Sequence, residues 1–289
     1  MDVDLHVVEK GDGNPVVLLH GFPELAYSWR HQIDALADAG HRVLAPDMRG
    51  FGRSGAPDPI VAYDIVELCG DVARVLDDAG AERAAVVGHD WGANVAWHFA
   101  LMHPERTVCV AGLSVPLVPR AWAPPLEIMR SHLGGDFYIV WFQEPGVAEA
   151  ALERDVRRTI LTPAVWTAEW AARDDENPRV PPYMTEDDVA VYVGEFERTG
   201  FRGGLNWYRN IDRNWERTAD LDERKVEMPA LFMAGARDST MRWMSPEVMH
   251  GRVTDLRTEI VDGAGHWLQQ ERPDEVNRAL LALFRDAGW

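Results

Sequence analysis

An apolar run from Ala84 to Val87 breaks at Gly88-His89-Asp90-Trp91-Gly92 and gives way to a helical stretch from Ala93 to Met102. The glycines permit a turn tight enough to push the middle side chain above a sheet, and a short, wholly apolar strand must be covered on both faces. The flanking sequence repeats the alternation. Strands are expected at Leu5–Glu9, Val16–Leu19, Arg42–Ala45 and Val108–Leu113, with a Gly11-Asp12-Gly13-Asn14 turn after the first. Helices are expected from about Ser28 to Ala39 and from Ile65 to Ala79, the latter ending at Gly80. From about Leu117 to Leu221 the apolar runs become helical, rich in Trp and broken by Pro. Alternation then resumes with a strand at Ala230–Ala234, a helical stretch, a strand at Thr258–Val261 and a last helix from about Pro273 to Arg285. The pattern predicts an α/β fold with a mostly parallel sheet flanked by helices. The core would comprise residues 1–116 and 222–289, with a helical cap, 117–221, inserted between core strands.

Composition narrows the partners. The 289 residues are 46% hydrophobic, enough for a substantial core, and carry a formal net charge of −18. Such a surface repels phosphate backbones and anionic lipids, which argues against nucleic-acid and membrane-surface partners. Nowhere do eighteen apolar residues run together, so no membrane insertion is expected. Cys69 and Cys109 sit far apart in apolar runs with no pairing pattern, so a reducing, cytoplasmic setting is expected. Met1-Asp2-Val3-Asp4 does not read as a signal peptide. Nothing in the sequence sets an oligomeric state.

The turn residue at the centre of the first motif dictates the chemistry. Strand–turn–helix around Gly-x-Ser-x-Gly is the nucleophile elbow of α/β-hydrolases, and here Asp90 replaces the serine. A serine that attacked an sp³ carbon would form an ether, which water cannot readily cleave. A carboxylate forms an alkyl ester, which water can hydrolyse at its carbonyl carbon. Asp90 therefore points to epoxides or alkyl halides. His266, in the loop Gly263-Ala264-Gly265-His266-Trp267, is the candidate general base, since ligands of open α/β sheets bind beyond the strands' carboxyl ends. Asp238, just past Ala230–Ala234, is the candidate that orients it, with Asp262 the weaker alternative. The backbone N–H groups of Phe22 and Trp91 are expected to form the oxyanion hole, and Pro23 to fix the turn after Phe22. His20 and Glu24 read as loop-packing residues. His-Glu-x-x-His is absent and the histidines lack ligand spacing, so neither metal nor cofactor is expected.

With these residues in place, the chain resembles the epoxide hydrolase family of the α/β-hydrolases, including the C-terminal domain of mammalian soluble epoxide hydrolase. The resemblance runs over nearly the whole chain: His20–Glu24, Asp47-Met48-Arg49-Gly50-Phe51-Gly52-Arg53-Ser54, Gly88–Gly92 and Gly265-His266-Trp267. Two cap segments are more specific, Phe137-Tyr138-Ile139-Val140-Trp141-Phe142-Gln143-Glu144-Pro145-Gly146 and Gly203-Gly204-Leu205-Asn206-Trp207-Tyr208-Arg209-Asn210. The resemblance implies that Tyr138 and Tyr208 hold and protonate the epoxide oxygen, and that the substrates are a small hydrophobic epoxide and water. Trp91, Phe142 and Trp267 are the expected pocket-lining residues. Two departures are a short N-terminus, expected to lack the family's first edge strand, and the absence of a preceding phosphatase-like domain. Dehalogenases on the same fold are the nearest alternative. The fluoroacetate branch places arginines where Trp91 and Asn94 stand, and one haloalkane branch an Asn at the position of Phe22. A halide needs no proton donor, so the tyrosine pair favours epoxides. A non-catalytic ligand-binding relative would be expected to keep a serine at position 90.

Overall fold

The computed structural model describes residues 3–162, 166–173 and 178–289. Met1 and Asp2 of the acidic N-terminus, and residues 163–165 and 174–177 of the expected cap, lie outside the described residues. The described chain forms seven strands: β1 (Val7–Lys10), β2 (Asn14–Leu19), β3 (His41–Pro46), β4 (Ala84–His89), β5 (Thr107–Leu113), β6 (Ala230–Gly235) and β7 (Leu256–Val261). They pair in the order β1-β3-β2-β4-β5-β6-β7. β1 runs antiparallel to β3 at one edge, and every other pair is parallel. Helices α1 (Arg30–Asp38), α2 (Ile65–Asp78) and α3 (Trp91–Met102) belong to the first half. Between β5 and β6 the described residues form eight more: α4 (Pro125–Leu133), α5 (Tyr138–Trp141), α6 (Val147–Leu152), α7 (Val156–Leu161), α8 (Ala168–Ala171), α9 (Glu186–Thr199), α10 (Arg202–Arg209) and α11 (Ile211–Arg217). α12 (Leu268–Glu271) and α13 (Pro273–Asp286) close the chain.

Strand alternation divides the core. Val17, Leu19, Val86, Val110 and Phe232 pack on the face shared with α2, α3 and the helical insertion. Val16, Leu18, Val87, Ala111 and Leu231 face the other way, onto α1 and α13. Because successive side chains point to opposite faces, wholly apolar strands of this kind require both layers.

One expected element is corrected. No α-helix links β6 to β7; two short 3-10 turns, Ser239–Arg242 and Pro246–Met249, do so instead. Pro246 lacks an N–H and holds Ser245 extended, at φ −69 and ψ 143, which stops a helix from continuing through it.

The insertion is bolted to the core at named points. Asp64, wholly buried, accepts from Val66 N and Glu67 N at 3.1 Å and so caps α2. Its other oxygen takes Arg213 Nε at 2.9 Å and an Arg217 guanidinium N–H at 2.6 Å, both from α11. Trp207 on α10 is fully buried and donates from Nε1 to the Arg49 carbonyl. Tyr27 and Arg30 hold Asp188 of α9. Phe196 and Phe201 stack with centroids 4.6 Å apart and are buried, each worth about 2–3 kcal/mol in area alone. Among the insertion's six tryptophans, Trp166, Trp170 and Trp207 are packing residues, whereas Trp122 is 81% exposed. Both cysteines are free and buried. Among the described residues no helix is long and apolar enough to cross a membrane.

Candidate active site

Parallel strands finish at one edge, so the loops after β2, β4, β5, β6 and β7 converge there. At the end of β4 the chain turns through Asp90 with φ 52, a backbone region that an aspartate seldom adopts. The neighbours make this possible: a Cβ at Gly88 would overlap the Gly92 carbonyl, and one at Gly92 the Leu19 carbonyl. Sheet, turn and helix are thus pressed together, and α3 starts at Trp91. The Trp91 N–H is among the first helix amides, which have no acceptor within the helix.

Three side chains expected to act together do meet. His266 Nε2 lies 3.6 Å from Asp90 Oδ2. Its Nδ1 lies 3.0 and 3.1 Å from the two oxygens of Asp238. Asp238 is 3% exposed and further held by the Thr240 N–H at 2.9 Å; Asp262 is exposed. The loop after β2 completes the group, its Phe22–Pro23 peptide being cis and the Phe22 N–H donating to Asp90 Oδ1 at 2.9 Å.

The electrostatics follow from two carboxylates around one imidazole. Burial lowers the affinity of His266 for a proton, but Asp238 and Asp90 outweigh it and push the pKa up to about 10. Burial alone would raise the Asp90 carboxyl; His266, His89 and the Phe22 N–H reverse that and hold it below its ordinary value. Asp238, despite burial, is brought down to about 2 by His266 and the Thr240 hydrogen bonds. The resting site is therefore an ion pair, with Asp90 ionised and His266 protonated.

Above this group stand the two tyrosines, from α5 and α10. Their ring centroids are 6.0 Å apart, and Tyr208 packs 5.1 Å from the Trp91 ring. Burial and the nearby Asp90 charge raise both phenols well above their ordinary value of 10, so both keep their protons at neutral pH. Gln143 Nε2 donates to the Tyr208 carbonyl at 3.1 Å, and Arg209 Nε to the Phe142 carbonyl at 3.0 Å, tying the two tyrosine segments together. Of the expected pocket residues, Phe142 is fully buried with rings of Tyr138 and Tyr208 at 5.5 and 5.1 Å. Trp91 is 8% exposed beneath Tyr208, whereas Trp267 lies against His89 and His266, at 5.5 and 4.9 Å.

Behind the triad lies a buried network that the sequence only hinted at. Glu24 is 1% exposed. It accepts from the Gly21 N–H at 2.9 Å and from Gln269 Nε2 at 2.7 Å, and faces His89 Nδ1 at 2.6 Å. His89 Nε2 donates to the His266 carbonyl at 2.8 Å, as does Ser114 Oγ at 2.7 Å. Ser114 has φ 68 and its own carbonyl accepts from Thr240 Oγ1, linking the Asp238 and His266 loops. His89 was visible as the elbow residue before Asp90; nothing in the sequence marked Ser114.

A sheet of this order with a charged residue at its sharpest turn, a buried His–Asp pair behind it and helices inserted between two strands defines a hydrolase of the α/β class. The alpha/beta hydrolase fold family model matches residues 14–273. Epoxide hydrolase A of Mycobacterium tuberculosis is 51% identical, the match covering 98% of this chain and 94% of that protein. Bifunctional epoxide hydrolase 2 of Rattus norvegicus is 39% identical over 98% of this chain but only 54% of its own length. The crystal structure of epoxide hydrolase A from Mycobacterium thermoresistibile superposes with a TM-score of 0.93 at 50% identity, over 98% of this chain and 95% of that one. The chain belongs to the epoxide hydrolase family of the α/β-hydrolases.

Proposed function

We propose that this epoxide hydrolase converts a small hydrophobic epoxide and water into a vicinal diol through an alkyl ester on Asp90. The observation that carries the reading is the Asp90 carboxylate held between His266 Nε2 and the Phe22 N–H. In the first half-reaction an Asp90 oxygen forms a bond to an epoxide carbon as the carbon–oxygen bond of the ring breaks. The departing oxygen takes a proton from Tyr138 or Tyr208, a general-acid contribution of roughly 10²–10⁴ in rate. Esterification removes the Asp90 charge, and with it part of what keeps His266 protonated. The imidazolium then releases its proton, by way of solvent, to the tyrosinate.

In the second half-reaction neutral His266, oriented by Asp238, deprotonates a water that attacks the ester carbonyl. The Phe22 and Trp91 N–H groups stabilise the oxyanion; loss of one such donor typically costs roughly 10²–10³. As the intermediate collapses the diol oxygen takes the proton back from His266. The acid left at Asp90 re-ionises onto the imidazole, restoring the ion pair.

The helical insertion would act as the cap that brings the tyrosines over the core and shields the ester from bulk water. The two unpaired cysteines accord with a cytoplasmic setting. The test is turnover of purified wild type and Asp90→Ala on aryl and alkyl epoxides, haloalkanes and fluoroacetate, with diol and halide followed separately. Diol formation that the substitution abolishes is expected; halide release without diol would move the protein to dehalogenation. Mass spectrometry of His266→Gln with an epoxide should find an adduct on the Asp90 peptide, and its absence would refute the ester.

A further inference from the structure

His266 is fixed through its backbone as well as through its ring. Its carbonyl accepts from Ser114 Oγ and His89 Nε2, as described. The two amides that flank it converge on one carboxylate from α12. Gly265 N–H donates to Glu271 Oε2 at 2.7 Å, and Trp267 N–H to Glu271 Oε1 at 3.1 Å. Each Glu271 oxygen thus holds one neighbour of His266. Residue 265 has no side chain, and a Cβ there would stand 3.0 Å from Oε1, so the carboxylate would have to give by a few tenths of an ångström. In this pose each amide has its own acceptor oxygen. A carboxamide would turn its NH₂ toward one of the donors.

We propose that Glu271 is a positioning residue for His266, holding the imidazole where it can activate water for ester hydrolysis while contributing nothing to ester formation. The inference rests on the two-step reading above and makes a kinetic claim that a helix cap would not. Loss of a residue that only capped the four-residue α12 would lower Tm and the amount of folded enzyme. Loss of a residue that aims the base should slow the second half-reaction alone.

The two are separable where alkylation commits the epoxide, as in the scheme proposed above, because kcat/KM then reports only the steps through ester formation. Purified wild type, Glu271→Gln, Glu271→Asp and His266→Gln are compared with styrene oxide, measuring kcat, KM and the intact mass of acid-quenched enzyme. In Glu271→Gln, kcat and KM should fall together by about 10- to 100-fold, the range for a slightly misplaced catalytic group. At the same time kcat/KM should hold within about twofold and the Asp90 ester should accumulate at steady state. Glu271→Asp, which keeps both acceptors on a shorter arm, should recover much of the loss and serves as the test should Glu271→Gln fold poorly.

A fall in kcat at constant KM with no accumulated ester, or unchanged kinetics, would overturn the positioning role. An ester in His266→Gln but not in either Glu271 variant would overturn it while leaving the two-step reading intact. No ester in any variant would overturn both.

Discussion

Replacing Asp90 by Ala removes one of the two carboxylates facing His266, and the imidazole's own titration should report the loss. With both present, burial lowers the proton affinity of His266, and Asp238 at 3.0 Å and Asp90 at 3.6 Å more than compensate, to a pKa of about 10. A unit charge at 3.6 Å in surroundings of effective dielectric about 20 is worth about 5 kcal/mol, or roughly 3 pK units as a ceiling. His266 in Asp90→Ala should therefore titrate about 2–3 units lower than in the wild type, close to neutrality. The substitution mimics the electrostatics of the proposed ester, in which the same charge would be lost. It thus measures whether alkylation, as proposed, would turn a resting cation into a competent base. The assay is a long-range proton–nitrogen NMR titration of the His266 ring in both proteins, assigned with His266→Gln. Titration of His266 at the same pH in the two proteins would refute the coupling, and the base would then need another means of losing its proton at neutral pH.

Three further outcomes follow from the geometry. Tyr138→Phe and Tyr208→Phe should each slow alkylation while leaving hydrolysis of a preformed ester unchanged, and the double substitution should abolish diol formation; retained epoxide turnover in the double variant would remove both hydroxyls from the chemistry. Asp64→Ala should cost about 1–3 kcal/mol through the lost α2 cap and the lost partner of Arg213 and Arg217, lowering Tm by several degrees in a thermal melt. The pH dependence of stability has two limbs. His266 is raised above its ordinary 6.5, so its contribution is complete below that value and is lost as pH rises through about 10. Asp238 is lowered from 3.8 to about 2, so its contribution is present above 3.8 and is lost as pH falls through about 2. Melting curves should show Tm falling on the alkaline side in the wild type and a flatter alkaline limb in His266→Gln.

Much of the scaffold could be read from local pattern. The runs Val16–Leu19, Ala84–Val87 and Ala230–Ala234 emerged as β2, β4 and β6 with small shifts at their ends, because a short stretch apolar on both faces has few alternatives to a buried parallel strand. The stretch between β6 and β7 failed the same reasoning: its apolar residues suggested a helix, but Pro246 and the Asp238 side chain, which accepts from Thr240 N, turn the backbone twice before β7. Periodicity carries no information about which local hydrogen bond will win.

The sequence by itself pointed to the kind of chemistry proposed here and to the residues that would carry it. An aspartate between elbow glycines, a histidine in a late loop and two tyrosines in helical segments are covalent facts, and the reactivity of a carboxylate toward an sp³ carbon does not depend on folding. What only the tertiary structure decided is which of these groups meet and in what charge state. Asp238 rather than Asp262 stands at His266 Nδ1 because β6 and β7 are parallel neighbours, so that their following loops share one edge. The same convergence puts Ser114, His89 and Glu271 around the His266 backbone from three different segments. Neither their hydrogen bonds nor the raised pKa of His266 exists until burial and packing bring the groups within a few ångströms, where Coulomb and hydrogen-bond terms are large.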